Sequence, residues 1–223
     1  MASEYLSKVL AGDRVTILSG YTRRLLSPPL PGDGLLVVGA VEGIVGWSLS
    51  WLLVENPSLA PFGFYESIVA LWVVLIAILV AVGVAYTAPT VRRNRIWLVW
   101  AGLNVSAVTV NVATLAGWFP GPVADVPVLG DTLGSGYWQP WFLALGVGYL
   151  ATALYNWSNP QIRKSERVVY GLGGLTCLLI LSPWFPTTEL YPTRLFLVGG
   201  LLHVIPMGFD VLADIVLILR RTA

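Results

Sequence analysis

The sequence predicts an all-α fold: a polytopic membrane bundle of six transmembrane helices with both termini cytoplasmic. Three observations predict it. Hydrophobic residues make up 56% of the 223 residues and charged residues 11%, well under the share of about 25% usual in soluble domains. Apolar stretches of about 20 residues, the length that crosses a bilayer, recur along the chain. Basic residues fall in every second connection. Of the 13 lysines and arginines, Arg194 alone lies on the outer side, and an excess of basic residues marks cytoplasmic segments. This composition excludes a soluble enzyme, a disordered chain and a nucleic-acid binder with a basic face. The expected location is the cell membrane, and the expected first partner is the lipid bilayer.

Residues 1–33 form a cytoplasmic N-terminal segment. Its opening is too polar for the apolar region of a signal peptide, and no small-residue cleavage site follows. Tyr5, Leu6, Val9 and Leu10 share one helical face, so residues 3–11 read either as an interfacial amphipathic helix or as a disordered tail. Pro28, Pro29 and Pro31 make a stiff lead into the bundle.

Residues 34–223 form the six-helix transmembrane domain, with windows at 34–54, 67–88, 96–118, 138–156, 168–185 and 195–219. The first window carries Gly39 and Gly43, a GxxxG-type pair that lets a neighbouring helix approach closely. Arg92, Arg93 and Arg95 separate the second window from the third. Arg163, Lys164 and Arg167 separate the fourth from the fifth. The outer connection 119–137 is rich in Pro and Gly and reads as an irregular loop or a small lid. Trp51, Trp118, Trp138, Trp141 and Trp184 are expected at the outer interface, with Trp97 and Trp157 at the inner one.

A charged group inside a membrane helix costs about 2.5–3.5 kcal/mol on insertion scales. Glu42, His203, Asp210 and Asp214 fall well inside the windows, so each needs a reason. Steps of seven and four residues put His203, Asp210 and Asp214 on one stripe of the last helix, within about 40°. Glu42, Asn104 and Asp210 all lie about 12–14 Å from the inner boundary at 1.5 Å per residue. Asn111 continues the polar face of the third helix outward, and Tyr149 faces inward from the fourth. A polar cavity among the first, third, fourth and sixth helices is therefore expected. Its ion-binding, solute-binding or proton-relay residues would be Glu42, Asp210, Asp214, His203, Asn104, Asn111 and Tyr149. The opposing reading is structural. The asparagines then bond between helices, Asp214 pairs with Arg220, Arg95 or Arg167, and His203 caps the carbonyl that Pro206 leaves free.

One histidine and one cysteine, Cys177, are too few for a bis-histidine haem or a disulfide relay. No zinc-ligand spacing is present, so the identity of any metal stays open. Phe209 to Asp214 resembles the last helix of the microbial rhodopsins, where an aspartate precedes the retinal lysine by four residues. The resemblance implies a helix order matching all but the first helix of that family. Asp214 stands in the place of the lysine, so no covalent retinal is implied.

The leading expectation is transport of an ion or small polar solute, with or without proton coupling, through the polar intramembrane site. The alternative is a non-catalytic subunit or assembly factor of a larger membrane complex. Behind these stand an intramembrane lipid-modifying enzyme and a retinal-free rhodopsin-like protein. No nucleophile–base pattern favours catalysis. The expected partners are a small solute, proton or cation, a second copy of the chain, or subunits of a membrane complex, and no nucleic acid.

Overall fold

A computed structural model describes residues 19–23, 26–118, 135–159, 162–182, 184–185 and 193–221. Among them there is no strand, only a single bridge between Leu30 and Thr87. Six long helices carry the fold: α1 (Gly32–Glu55), α2 (Phe64–Ala85), α3 (Arg95–Leu115), α4 (Ser135–Tyr155), α5 (Lys164–Ile180) and α6 (Thr193–Arg221). Each overlaps one of the apolar windows.

Four of these helices, namely α1, α2, α3 and α6, are long and apolar enough to cross a membrane. That marks the chain as a membrane protein. The other two are weaker on this measure for visible reasons. α5 has 17 residues, short for a crossing, and α4 opens on a polar, aromatic turn around Gln139 and Pro140. All six helices nonetheless turn apolar side chains outward. Ile44, Val74, Leu98, Leu154, Leu175 and Ile205 are each at least half exposed. Aliphatic cover on every helix suits a lipid surround and not water.

Local chemistry sets the helix ends. α3 stops at Leu115, short of the expected residue 118, because Gly117 takes a left-handed φ of 69°. Trp118 N then donates to Ala113 O at 2.9 Å, and Gly117 N to Thr114 O at 3.1 Å. This double closure satisfies carbonyls that the helix leaves orphaned. α5 begins earlier than the expected residue 168, inside the basic connection. The Glu166 carboxylate accepts the Arg163 backbone N–H at 3.3 Å across the first turn, and Lys164 and Arg167 therefore lie on the helix.

The helices pack around a ring in chain order, and α6 closes it against α1; α4 also touches α6. Glycines allow the tightest approach. A Cβ on Gly43 would lie 2.5 Å from His203 Cδ2, so α1 accepts the imidazole of α6 only because that position is bare. Gly148 does the same for Trp100, whose ring would lie 2.8 Å from a Cβ there.

The core is richest in rings at the end away from the basic connections. Trp47, Trp72, Trp138, Trp141 and Phe142 are all buried there. Trp138 and Trp141 correct the expectation of an outer interfacial belt. They face inward, and Trp141 stacks on Trp72 at 4.1 Å between ring centres. Trp118, Trp157 and Trp184 are exposed near helix ends, where an interfacial ring belongs. The proposed interfacial helix at residues 3–11, and residues 119–134 of the outer loop, lie outside the described residues.

Candidate functional site

A cavity of about 290 Å³ lies inside the ring, toward the end that carries the basic connections. α1, α3 and α6 supply most of its wall; α4, expected to share in it, contributes Thr152 alone, as α2 contributes Leu79 and α5 Tyr170. Asp33, Asn94 and Asn159 line its mouth, and Glu42, Asn104 and His203 line its inner end. Beyond them the rings of Trp47 and Tyr149, both buried, fill the bundle.

Of the seven residues singled out in the sequence, Glu42, Asn104, His203 and Asp210 share this cavity. Each is held differently. Glu42 is 6% exposed, and its Oε1 has no hydrogen-bond partner. Asn104 is anchored through its amide nitrogen, which donates to Trp100 O at 2.9 Å. That leaves its carbonyl oxygen as the less committed group. The Trp47 indole donates to His203 Nδ1 at 3.2 Å. The imidazole is an acceptor there, so its own proton sits on Nε2. It does not cap the carbonyl freed by Pro206. The neighbouring carbonyl, His203 O, instead receives the Tyr149 hydroxyl at 2.5 Å. Tyr149 is thus a fully buried strut between α4 and α6, set behind the cavity wall.

Asn111 and Asp214 stand apart. Asn111 accepts from the Trp141 indole at 2.7 Å and donates to Tyr137 O at 3.2 Å. It therefore joins α3 to α4 in the ring-rich half. Asp214 lies one turn nearer the helix end than Asp210 and pairs with Arg163 at 3.0 Å. None of the three arginines anticipated for Asp214 is its cation. Tyr21 also donates to it at 3.4 Å. Burial, together with the charge of Asp214, pushes the Tyr21 hydroxyl up to about 12, so it remains a donor at neutral pH.

Arg163 is the residue that spacing alone missed. It precedes α5, and its guanidinium pairs with Glu166 in the first turn of that helix. Its Nη2 lies 3.8 Å from Asp210 Oδ1 and donates to Asp210 O at 3.2 Å. One cation thus gathers three carboxylates from α5 and α6. Tyr170 was missed as well; its hydroxyl donates to Asp210 Oδ2 at 3.0 Å. The signal for the aromatic wall was present in the sequence. Positions 97, 100 and 104 share one face of a helix, so Trp97 and Trp100 follow Asn104 into the cavity. Trp97 is therefore not purely interfacial. Trp100 is fixed by its indole, which donates to Thr152 Oγ1 at 3.0 Å, and by an edge contact with Tyr149 at 5.1 Å.

Chemically, the cavity offers carboxylates, amide oxygens and ring faces. No group of three or more His, Cys, Asp or Glu side chains among the described residues is arranged to hold a metal ion. The fold and site define a helical membrane protein whose bundle holds a largely apolar cavity carrying three acidic side chains. No known family, curated protein or solved structure matches the chain. The rhodopsin resemblance of the last helix therefore gains no support beyond those few residues.

Proposed function

We propose that this protein transports an ion or small polar solute, coupled to protons, across the cell membrane, and that the cavity is its binding site. In this reading all six helices span the bilayer, and the basic connections and both termini face the cytoplasm. The mouth of the cavity then opens to the cytoplasm. Glu42 is the central binding or relay group. Asp210, Asn104 and His203 complete the site, and Tyr149 holds the fourth and sixth helices together behind it.

The observation that carries this reading is the buried Glu42 carboxylate oxygen with no protein partner, set in the wall of an accessible cavity. A carboxylate left this way is costly to keep in a membrane unless it is used. The test is flux in proteoliposomes, with wild type beside Glu42→Gln and Asp210→Asn. Flux of protons or cations that Glu42→Gln abolishes, in a protein that remains monodisperse, is the expected result. No flux under any pH or cation gradient would sink the reading.

A second reading has its own support. Asp210 and Asp214 are both paired with Arg163, which suits a structural role for the last helix. A non-catalytic subunit of a larger membrane complex would use the charges in that way. Such a protein would show no flux and would co-purify with a partner.

A further inference from the structure

The transport reading leaves the solute open, and the wall of the cavity narrows it. Among the described residues, the side chains that line it include three acids, Asp33, Glu42 and Asp210, and no lysine or arginine. Arg163 stands behind Asp210, with Glu166 and Asp214 as further acids around it. The sign of the occupant is therefore positive. Asp210 is already engaged with Tyr170 and Arg163, whereas Glu42 is not. The demand at the inner end is specific: an acceptor oxygen, buried and unpartnered, requires a hydrogen-bond donor.

Size and lining exclude the simplest donors. A volume of about 290 Å³ far exceeds a bare metal ion and sits near the lower end of the range of about 300–1,000 Å³ typical of small-molecule sites. The wall also presents apolar and ring surface, with Trp97 and Trp100 on one side and Leu35 and Leu79 among the rest. An inorganic cation gains nothing from leucine. An ammonium on a carbon skeleton uses both surfaces, since indole faces attract organic cations and leucines cover their apolar bodies.

We propose that the cavity binds a primary organic ammonium, whose head donates to Glu42 and whose apolar body lies along Trp97 and Trp100. A primary amine is favoured over a quaternary one because only the former carries an N–H to donate to the Glu42 carboxylate, which lines the cavity. This inference rests on the transport reading for the choice of site, but binding alone tests it.

The experiment is equilibrium binding of labelled phenethylamine to the full chain in lipid nanodiscs. The competitors are phenethyl alcohol, trimethyl(phenethyl)ammonium and potassium chloride. Saturable binding is expected. The quaternary analogue should compete about tenfold more weakly than the amine, and the alcohol and the salt should hardly compete. Glu42→Gln should weaken binding roughly ten- to a hundredfold, the scale of one charge-assisted hydrogen bond, at unchanged melting temperature. Glu42→Asp should keep part of the affinity. Absence of saturable binding overturns the proposal. So does an alcohol that competes as well as the amine, or a folded Glu42→Gln that binds like wild type. If Glu42→Gln does not fold, the order of competitors on the wild type decides, with Trp97→Leu as the second variant. Proton or inorganic-cation flux that depends on Glu42, without amine binding, overturns this inference alone. Amine binding without flux overturns the transport reading alone.

Discussion

The two ends of the bundle use polar residues in opposite ways. Away from the basic connections, polar groups are spent on packing. The Trp72 indole donates to Ser50 at 3.1 Å, Trp141 to Asn111, and Asn111 to Tyr137. Trp51 Nε1, Trp138 Nε1 and Ser182 Oγ are the exceptions among the described residues, neutral groups without a partner. Rings fill the space between these bonds, with Trp47 set edge-on to Trp72 and Phe142 at 5.5 and 5.7 Å. At the basic end the same ring of helices encloses a cavity. The unpartnered atoms there belong to ionisable groups, Glu42 Oε1 and Arg163 Nη1, which cost far more to bury than an indole N–H. The difference teaches that the bundle is consolidated at one end and left open at the other. Stability and site should therefore respond to different residues.

The largest effect should come from the consolidated end. Trp72→Ala removes a ring that is 1% exposed and that stacks on Trp141. The expected loss is about 3–5 kcal/mol, the range for large core truncations, read from denaturant titration in micelles. A loss under about 1 kcal/mol would mean that this half is not the structural anchor. Next comes the charged network at the mouth. Arg163→Met leaves Glu166, Asp210 and Asp214 without their cation. A fully buried ion would cost about 3–5 kcal/mol, but this guanidinium is about a quarter exposed, so about 2–3 kcal/mol is expected. Adding Asp210→Asn should recover part of that loss, and a strictly additive double mutant would show that the pair is uncoupled. The smallest effect on stability should come from Glu42→Gln. Its Oε1 has no bond to lose, so the change should lie within about 1 kcal/mol or be mildly stabilising. A large destabilisation would assign Glu42 to the scaffold and blur the contrast between the two ends.

Much of the helix layout was legible in the sequence, and the limits of that reading have physical causes. Apolar length located six helices, four of them long and apolar enough to cross a membrane. Counting residues from helix ends put Glu42, Asn104 and Asp210 at one depth, and all three line the cavity. However, His203 packs on Gly43 and Met207 on Gly39, so Glu42 lies level with His203, and Asp210 sits nearer the basic end beside Arg163. The same arithmetic did not set Asn111 apart. It shares a face with Asn104 but lies seven residues further along, which at 1.5 Å per residue is about 10 Å, and that step crosses into the ring-rich half. Arg163 escaped notice because basic residues beside a membrane helix read as topology signals. Its use as a counter-ion depends on where α5 starts and on α6 lying alongside, and neither is a property of local sequence. Trp138 and Trp141 were misplaced for a related reason. Tryptophan suits both an interface and a core, and only the neighbours decide.

The cavity closes at Glu42 and His203, with Trp47 and Tyr149 behind them. A blind-ended pocket equilibrates with the solution at its mouth and not with the far side. With the bundle spanning the bilayer as proposed, occupancy in this shape reports the composition of one compartment only. A compound added to the opposite face acts on the site only after crossing the lipid or after the tryptophan layer rearranges. Sidedness in a binding or inhibition assay would thus read out the shape that the bundle adopts at rest.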